Sequence, residues 1–483
     1  MTIPTNLSQF PGHIHSCYSP NHQTYINKQL ISSAHTSENP VRGKEMKTPL
    51  LPELLHAPVA GDSGTGASVS GAVFNLSTSI VGAGIMSIPA TLKVLGVGPA
   101  LLLIAAVAFL SDASVEFLVR YTGHSGAPVA SYAGLMGESF GRAGSAALQL
   151  CVVVTNLGAL IMYLIVIGDV LSGNGSEGSI HSGILNEWFG EHWWNERSVA
   201  LLITLVIMMP LLLLKRVDSL RFTSAVSVLL AVVFVIISSA MALCALYQGT
   251  TQTPRLLPNF ANQSFFHLFT AIPVLVVAFT FHFNVHPIRA ELSRTSDMAI
   301  AVRISLLLCS AIYASVGFFG YLLFGDSTMA DILSNFDQSS TGSQIGPWLN
   351  DAVRLSYALH LVLVFPLLNY SLRLNIDEML FPKSRPFASD TGRFVSLTGV
   401  LMVVVYSATI AIPNIWVLFQ YMGSTSAVCL SLIFPAAIVL RDIHGISKRR
   451  DKILAATMII LAVVTSSIAI STNISGLFKG ENK

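Results

Sequence analysis

Eleven long apolar stretches constrain this chain more than any other feature. They run over roughly 69–92, 97–119, 143–171, 198–214, 222–247, 265–287, 303–324, 352–372, 394–412, 415–440 and 454–472. About 20 apolar residues span a bilayer as a helix. Hydrocarbon offers no hydrogen bonds, so a crossing chain must satisfy its own backbone, and runs of this length do so as helices. Composition agrees: 52% of the 483 residues are hydrophobic and 11% are charged, against about 25% charged in soluble domains. The lipid bilayer is therefore the first partner. A net charge of +2 gives no reason to expect a nucleic-acid partner.

Three domains are expected: a disordered cytosolic N-terminal tail over 1–68, a transmembrane domain over 69–475 and a short non-cytosolic tail over 476–483. The N-terminal tail is rich in Ser, Thr, Asn, His and Pro, which cannot bury a core. It lacks the apolar core of a signal peptide. Its scarcity of acid before Glu38 faintly suggests a transit peptide, against which stand few Arg and scattered Pro. Acidic residues beside Leu pairs over Glu45–Leu55 fit a sorting signal or a plain tether. Cys17, Cys151, Cys244, Cys309 and Cys429 show no paired spacing, so neither a zinc site nor a disulfide framework is expected. No cofactor is called for.

Loop charges set the orientation, because cytosolic loops collect Lys and Arg. With the N-terminus in the cytosol, 17 of the 27 Lys and Arg fall in cytosolic loops and four more in the tail. The other side keeps only Lys93, Arg197, Arg255, Arg354, Lys479 and Lys483. The N-x-Ser sequons at Asn174, Asn262 and Asn473 fall on that side too. Lys448–Lys452 reads as an anchor on the anionic cytosolic leaflet.

Two of the stretches are interrupted. The first contains V-F-N-L-S-T-S-I-V-G-A-G-I-M-S-I-P, Val73–Pro89. Gly82 and Gly84 weaken a helix by about 1 kcal/mol each. Pro89 suits the first turn of a second helical piece. A small-residue packing face would also explain the glycines. The sixth stretch carries Pro273, Thr280, His282, Asn284, His286 and Pro287. Packing does not account for polar residues there. Interrupted helices at matching places in two halves mark a secondary transporter with its site at the midplane. With the N-terminus inside, helices 1–5 and 6–10 have opposite topology.

Asn75–Pro89 resembles the first helix of the amino acid/auxin permease family. F-T-F-H-F-N-V-H-P-I-R-A-E-L, Phe279–Leu292, resembles its sixth. The opening at Lys47 and S-D-A-S-V-E-F-L-V-R-Y in helix 2 are similar to the plant vacuolar branch, and solute carrier family 38 is related. The resemblance covers about residues 46–475. It implies an all-α, leucine-transporter-like fold: two inverted five-helix repeats plus one, eleven transmembrane helices, N-terminus cytosolic. It implies amino acid transport by alternating access, as symport or antiport, and no enzyme activity. The substrate carboxylate would meet N–H groups at Gly82, Ala83, Gly84 and Ile85. Its ammonium would meet carbonyls at Phe279 and Thr280, and Phe281 would shape the side-chain pocket.

One departure concerns the ion. Sodium-using relatives place Asn where Thr78 stands, and a helix 8 Thr where this chain has Val362 and Val364. Two Val offer no oxygen, which argues against sodium and for protons or the substrate's own gradient. His282 and Glu116 are the ion-coupling candidates, since intramembrane ionisable groups are functional suspects. Glu116 also pairs structurally with Arg120, and Asp112 shares its face. His282 has a bland reading as a neutral ring bonded to a freed carbonyl, and His360 reads as helix packing. Asn156 and Tyr163 lie on the third helix, which borders the site in this fold; either touches substrate or bonds a neighbouring helix. The expected function is a secondary active amino acid transporter of the vacuole or another endomembrane, plasma membrane being the alternative. An amino-acid-sensing receptor of the same fold and an auxin carrier are the alternatives in function.

Overall fold

The computed structural model describes residues 68–124, 131–174, 181–214, 221–260, 265–336, 347–381, 390–412 and 414–479. The tail before residue 68, the Glu45–Leu55 segment, the Asn262 sequon, Lys215, Arg216, Lys383, Arg385 and Lys483 lie outside them.

The chain begins with α1 (Val69–Ile80), capped by Ser68, whose hydroxyl accepts from Gly71 N–H. A 54° bend and a tight helical turn over Ala83–Ser87 lead into α2 (Ile88–Leu95), with Pro89 in its first turn as expected. Next come α3 (Val97–Thr122), α4 (Tyr132–Ser172), the antiparallel pair β1 (Gly173–Asn174) and β2 (His181–Ser182), and α5 (Ile184–Phe189). Then follow α6 (Arg197–Leu212), α7 (Arg221–Gln248), α8 (Ala271–Ala278), α9 (Val285–Glu291), α10 (Met298–Phe324) and α11 (Pro347–Leu380). The last are α12 (Thr391–Ala411), α13 (Ile415–Met422), α14 (Phe434–Arg441) and α15 (Arg449–Lys479).

Among the described residues, nine helices are long and apolar enough to cross a membrane, and the bent pair α1–α2 makes a tenth span. Helix α6 is apolar but has 16 residues, about 24 Å of rise against a hydrocarbon core of about 30 Å. Each of the eleven stretches read from the sequence falls on one of these elements. Apart from the two-residue strands the described chain is helical.

Packing separates the two interrupted spans from the rest. Helix α1 lies along α10, and α2 continues along the same helix. Side chains at Gly317 and Gly320 of α10 would collide with Ile88, Leu92 and Pro89, so these glycines let α2 seat closely. Helix α11 packs instead on α4 and α7. Two buried arginines fix α11 near its ends. Arg354 pairs with Glu187 at 2.9 Å and donates to the Ser182 carbonyl at 2.7 Å. Arg373 donates to the Leu212 carbonyl at 2.7 Å and to Thr398 Oγ1 at 2.8 Å, with the Phe394 ring beneath it.

Ion pairs tie down charges near the helix ends. Arg120, Arg303, Arg393 and Lys452, all assigned to the cytosolic side, pair with Glu116, Asp112, Asp451, Asp377 and Asp442. Arg197, Arg255 and Arg354, assigned to the other side, pair with Asp169, Asp326 and Glu187.

Candidate functional site

The site is built where α1 and α8 end. Val81 N–H still bonds the Ser77 carbonyl at 2.8 Å, after which the α-helical pattern stops. Gly82 is extended, with φ −134° and ψ −154°. The next backbone bond is Ile85 N–H to the Gly82 carbonyl at 3.3 Å. Among the described residues, the N–H groups of Gly82, Ala83 and Gly84 take no part in backbone pairing around the break. The first turn of any helix leaves such donors over. The sequence reading also counted Ile85 among these donors, but its N–H is taken by the Gly82 carbonyl, because the chain tightens into a 3-10 turn directly after the break.

The partner break opens after Ala278. Phe279 and Thr280 N–H groups bond back to the Leu275 and Val277 carbonyls, and the helix then unwinds over Phe279–Phe281. A single 3-10 turn, His282–Asn284, carries the chain into α9. Phe279 and Phe281 are fully buried, and Thr280 returns its hydroxyl to the Val276 carbonyl at 2.6 Å.

The two breaks touch. A Cβ built on Gly84 would lie 2.9 Å from Ala278 Cβ and 3.0 Å from its Cα. Three tyrosines surround this contact. Tyr313 Oη of α10 lies 2.7 Å from the Ile80 carbonyl and 2.9 Å from the Ala278 carbonyl. Tyr357 of α11 donates to the Gly82 carbonyl at 2.7 Å. A Cβ on Gly82 would meet the Tyr163 hydroxyl of α4 at 2.9 Å. Sequence reading found Tyr163 but neither Tyr313 nor Tyr357. Each is one of two tyrosines in its helix, where the bland core reading is the default.

Ala83, Gly84 and Ile85 are buried with these groups. Asn156, on the same helix as Tyr163, is 1% exposed, and its Nδ2 finds no aligned partner among the described residues. Its neighbour Thr155 donates to Ser426 Oγ at 2.9 Å. Ser426 belongs to the first of two successive π-helical turns, Gly423–Ala427 and Cys429–Ile433, which the sequence reading did not foresee. Pro435, without an N–H, follows them in the first turn of α14. Gly423 presses on the Pro273 backbone of α8, where any side chain would collide.

The other candidates sit apart from the contact. Thr78 gives its hydroxyl to its own Phe74 carbonyl at 2.8 Å. His282 is fully buried against the Phe281 ring and beside the Ser111 backbone of α3, and neither ring nitrogen has a well-aligned partner among the described residues. Glu116 is 46% exposed and pairs with Arg120 and Arg303. His360 bonds the Ser227 carbonyl at 2.7 Å, joining α11 to α7 as the packing reading expected. Among the described residues no group of three or more His, Cys, Asp or Glu is placed to hold a metal.

Residues 65–477 match the family model described as transmembrane amino acid transporter protein. The chain belongs to this family. The resemblance carried by the two broken-helix motifs is thereby confirmed. Among its curated relatives in this transporter family, amino acid transporter AVT6C of Arabidopsis thaliana is 55% identical over 90% of this chain and 99% of its own length. Amino acid transporter AVT6A of the same plant is 51% identical over 90% of this chain and 94% of its own. These relatives are named transporters, not enzymes. Among solved structures, a manganese transporter of Eremococcus coleocola aligns with a TM-score of 0.50 over 87% of this chain and 90% of its own, at 16% identity. At that identity the likeness speaks for the fold alone: the family member is a leucine-transporter-like, multi-pass membrane protein.

Proposed function

We propose that this chain moves amino acids across an endomembrane, the vacuolar membrane first, by alternating access. The observation that carries the reading is the face-to-face pair of helix breaks with unclaimed N–H groups at Gly82, Ala83 and Gly84. An amino acid is a dipolar ion of opposite ends. Half-helix N-termini attract its carboxylate, and unwound carbonyls attract its ammonium. The names of the relatives support amino acids as the cargo. Ile85 closes the turn by its bond to the Gly82 carbonyl without offering a free N–H, and Phe279, Thr280 and Phe281 form the opposite wall, with Asn156 along the helix that presents Tyr163.

Coupling is to protons or to the substrate's own gradient. Thr78 spends its hydroxyl within α1, and Val362 and Val364 bring no oxygen. His282 is the proton candidate, because it is buried at the break that must rearrange. Glu116 is the second, and its use requires the cluster with Arg120 and Arg303 to open.

Counterflow in proteoliposomes with a panel of radiolabelled amino acids tests the substrate class; a chain that binds amino acid without exchange is a sensor. Replacing Na⁺ by K⁺ or choline leaves uptake unchanged, while an imposed pH gradient changes it. His282→Ala weakens the pH response more than it weakens substrate binding. An unchanged pH profile in that variant removes His282 from the mechanism.

A further inference from the structure

The Tyr313 phenol has a consequence beyond packing. Ile80 and Ala278 are the last residues of α1 and α8. Helix C-termini carry partial negative charge in their final carbonyls. Two such ends therefore converge at the core of a membrane protein, where a carbonyl without a donor is costly. In secondary transporters, unwound carbonyls and half-helix C-termini of this kind coordinate the coupling cation. Here the space between the two carbonyls holds the Tyr313 oxygen, 2.7 Å from one and 2.9 Å from the other. The phenol has one proton, shared between two acceptors.

The group is seated with care. Tyr313 is fully buried, and the Phe279 ring meets its ring edge-on at 5.1 Å between centroids. It is also the last rung of a ladder. Ser305 Oγ donates to the Val73 carbonyl at 3.1 Å, and Cys309 Sγ approaches the Ser77 carbonyl at 3.9 Å. Positions 305, 309 and 313 are one turn apart, so α10 presents one donor per turn along α1. Ser305 Oγ also bonds the Ala301 carbonyl of its own helix at 2.9 Å. Only Tyr313 also reaches α8.

We propose that Tyr313 is a positioning residue that takes the place of a coupling cation, its O–H holding the two helix breaks at the spacing the substrate needs. The inference rests on reading the paired breaks as the substrate site. A tethered donor does not dissociate, so it holds this junction without drawing on any ion gradient.

The test compares full-length wild type with Tyr313→Phe, which removes one oxygen. Counterflow in choline medium should show a KM raised about tenfold or more, the usual loss when a buried acceptor is stripped of its donor, with a smaller change in maximal rate. Hydrogen exchange provides a readout that does not depend on the cargo. It should rise at least tenfold in peptides spanning Val81–Gly84 and Phe279–Phe281 and stay unchanged in α11. A wild-type KM in Tyr313→Phe overturns the proposal, as does exchange that rises throughout the protein or at neither break. If wild type exchanges no amino acid, the substrate reading fails and the exchange result alone judges Tyr313. Should Tyr313→Phe not accumulate, 4-aminophenylalanine incorporated in place of Tyr313, which keeps an N–H donor at the reach of the phenol, should stay within about threefold of wild type in KM; a tenfold loss in it overturns the assignment.

Discussion

Gly84 shows how one missing methyl group organises the site. Its Cα faces Ala278 so closely that a Cβ would sit 2.9 Å from the alanine Cβ. Real Cβ atoms do not approach so near, and both contacts belong to short, inflexible groups. Gly84→Val must therefore push the two breaks apart, and uptake in proteoliposomes should fall below about a tenth of wild type with protein amount and location unchanged. Normal uptake would remove the break from the site. The glycine was legible in the sequence because Gly-Ala-Gly before a proline is a local signal. Tyr313 and Tyr357 were not, because their partners are backbone carbonyls 233 and 275 residues away. No local pattern encodes such a pairing.

At the scale of elements, the junction between α14 and α15 gives a second test. Asp442 ends α14 in the left-handed conformation, φ 46°. Asp tolerates this region better than most residues. Its carboxylate accepts from Tyr121 Oη at 2.6 Å and from the N–H groups of Ile446 and Ser447 at 3.0 and 3.1 Å, and it pairs with Lys452 at 2.9 Å. Burial pushes the carboxyl pKa up, but the Tyr121 hydroxyl, the Lys452 ammonium and the Ser447 N–H outweigh it and hold the group well below the usual carboxylate range. A depressed folded value means that its stabilisation is present above the unfolded value, about 3.9, and lost as pH falls through the folded one. Asp442→Asn keeps the left-handed turn but not the charge. Its melting temperature in detergent should be a few degrees below wild type at pH 7. That gap should narrow below about pH 4; a gap constant with pH would show that charge is not the cause. The run Lys448–Lys452, read from the sequence as a leaflet anchor, opens α15. The π-helical turns that precede α14 were not legible, since Gly-Ser-Thr-Ser-Ala carries small-residue flexibility without saying which helical pitch it adopts.

For the molecule as a whole, sidedness is the property proposed from charge counting. Trp193 lies between α5 and α6, 76% exposed, on the side that carries Arg197 and Arg354. A single-cysteine chain with Trp193→Cys should react with an impermeant thiol reagent only from the non-cytosolic face. Reaction from the cytosol in sealed vesicles would invert the proposed orientation. The all-helical, multi-pass character was legible because hydrocarbon enforces length and apolarity on each crossing helix. The depth to which Arg354 and Arg373 are buried was not. Loop charges mark helix ends, and nothing local distinguishes an arginine that faces water from one folded back onto carbonyls.

The outer half of the first span also bears on how the protein is made. Ser87 donates to the Ala330 carbonyl and Lys93 to the Thr328 carbonyl, partners 243 and 235 positions later in the chain. Tyr313 reaches Ile80 across 233. The first span to leave the ribosome thus waits for the seventh before the Ile80 carbonyl at its break meets the Tyr313 donor. At about 5–20 residues per second of synthesis, that interval is roughly 10–50 seconds. During it, an eight-residue half-helix with unpaired ends sits in the bilayer or beside the insertion machinery. Nascent chains released before Phe336 should therefore be recognised as incomplete and degraded, and a membrane chaperone that shelters polar backbone would act on this segment first.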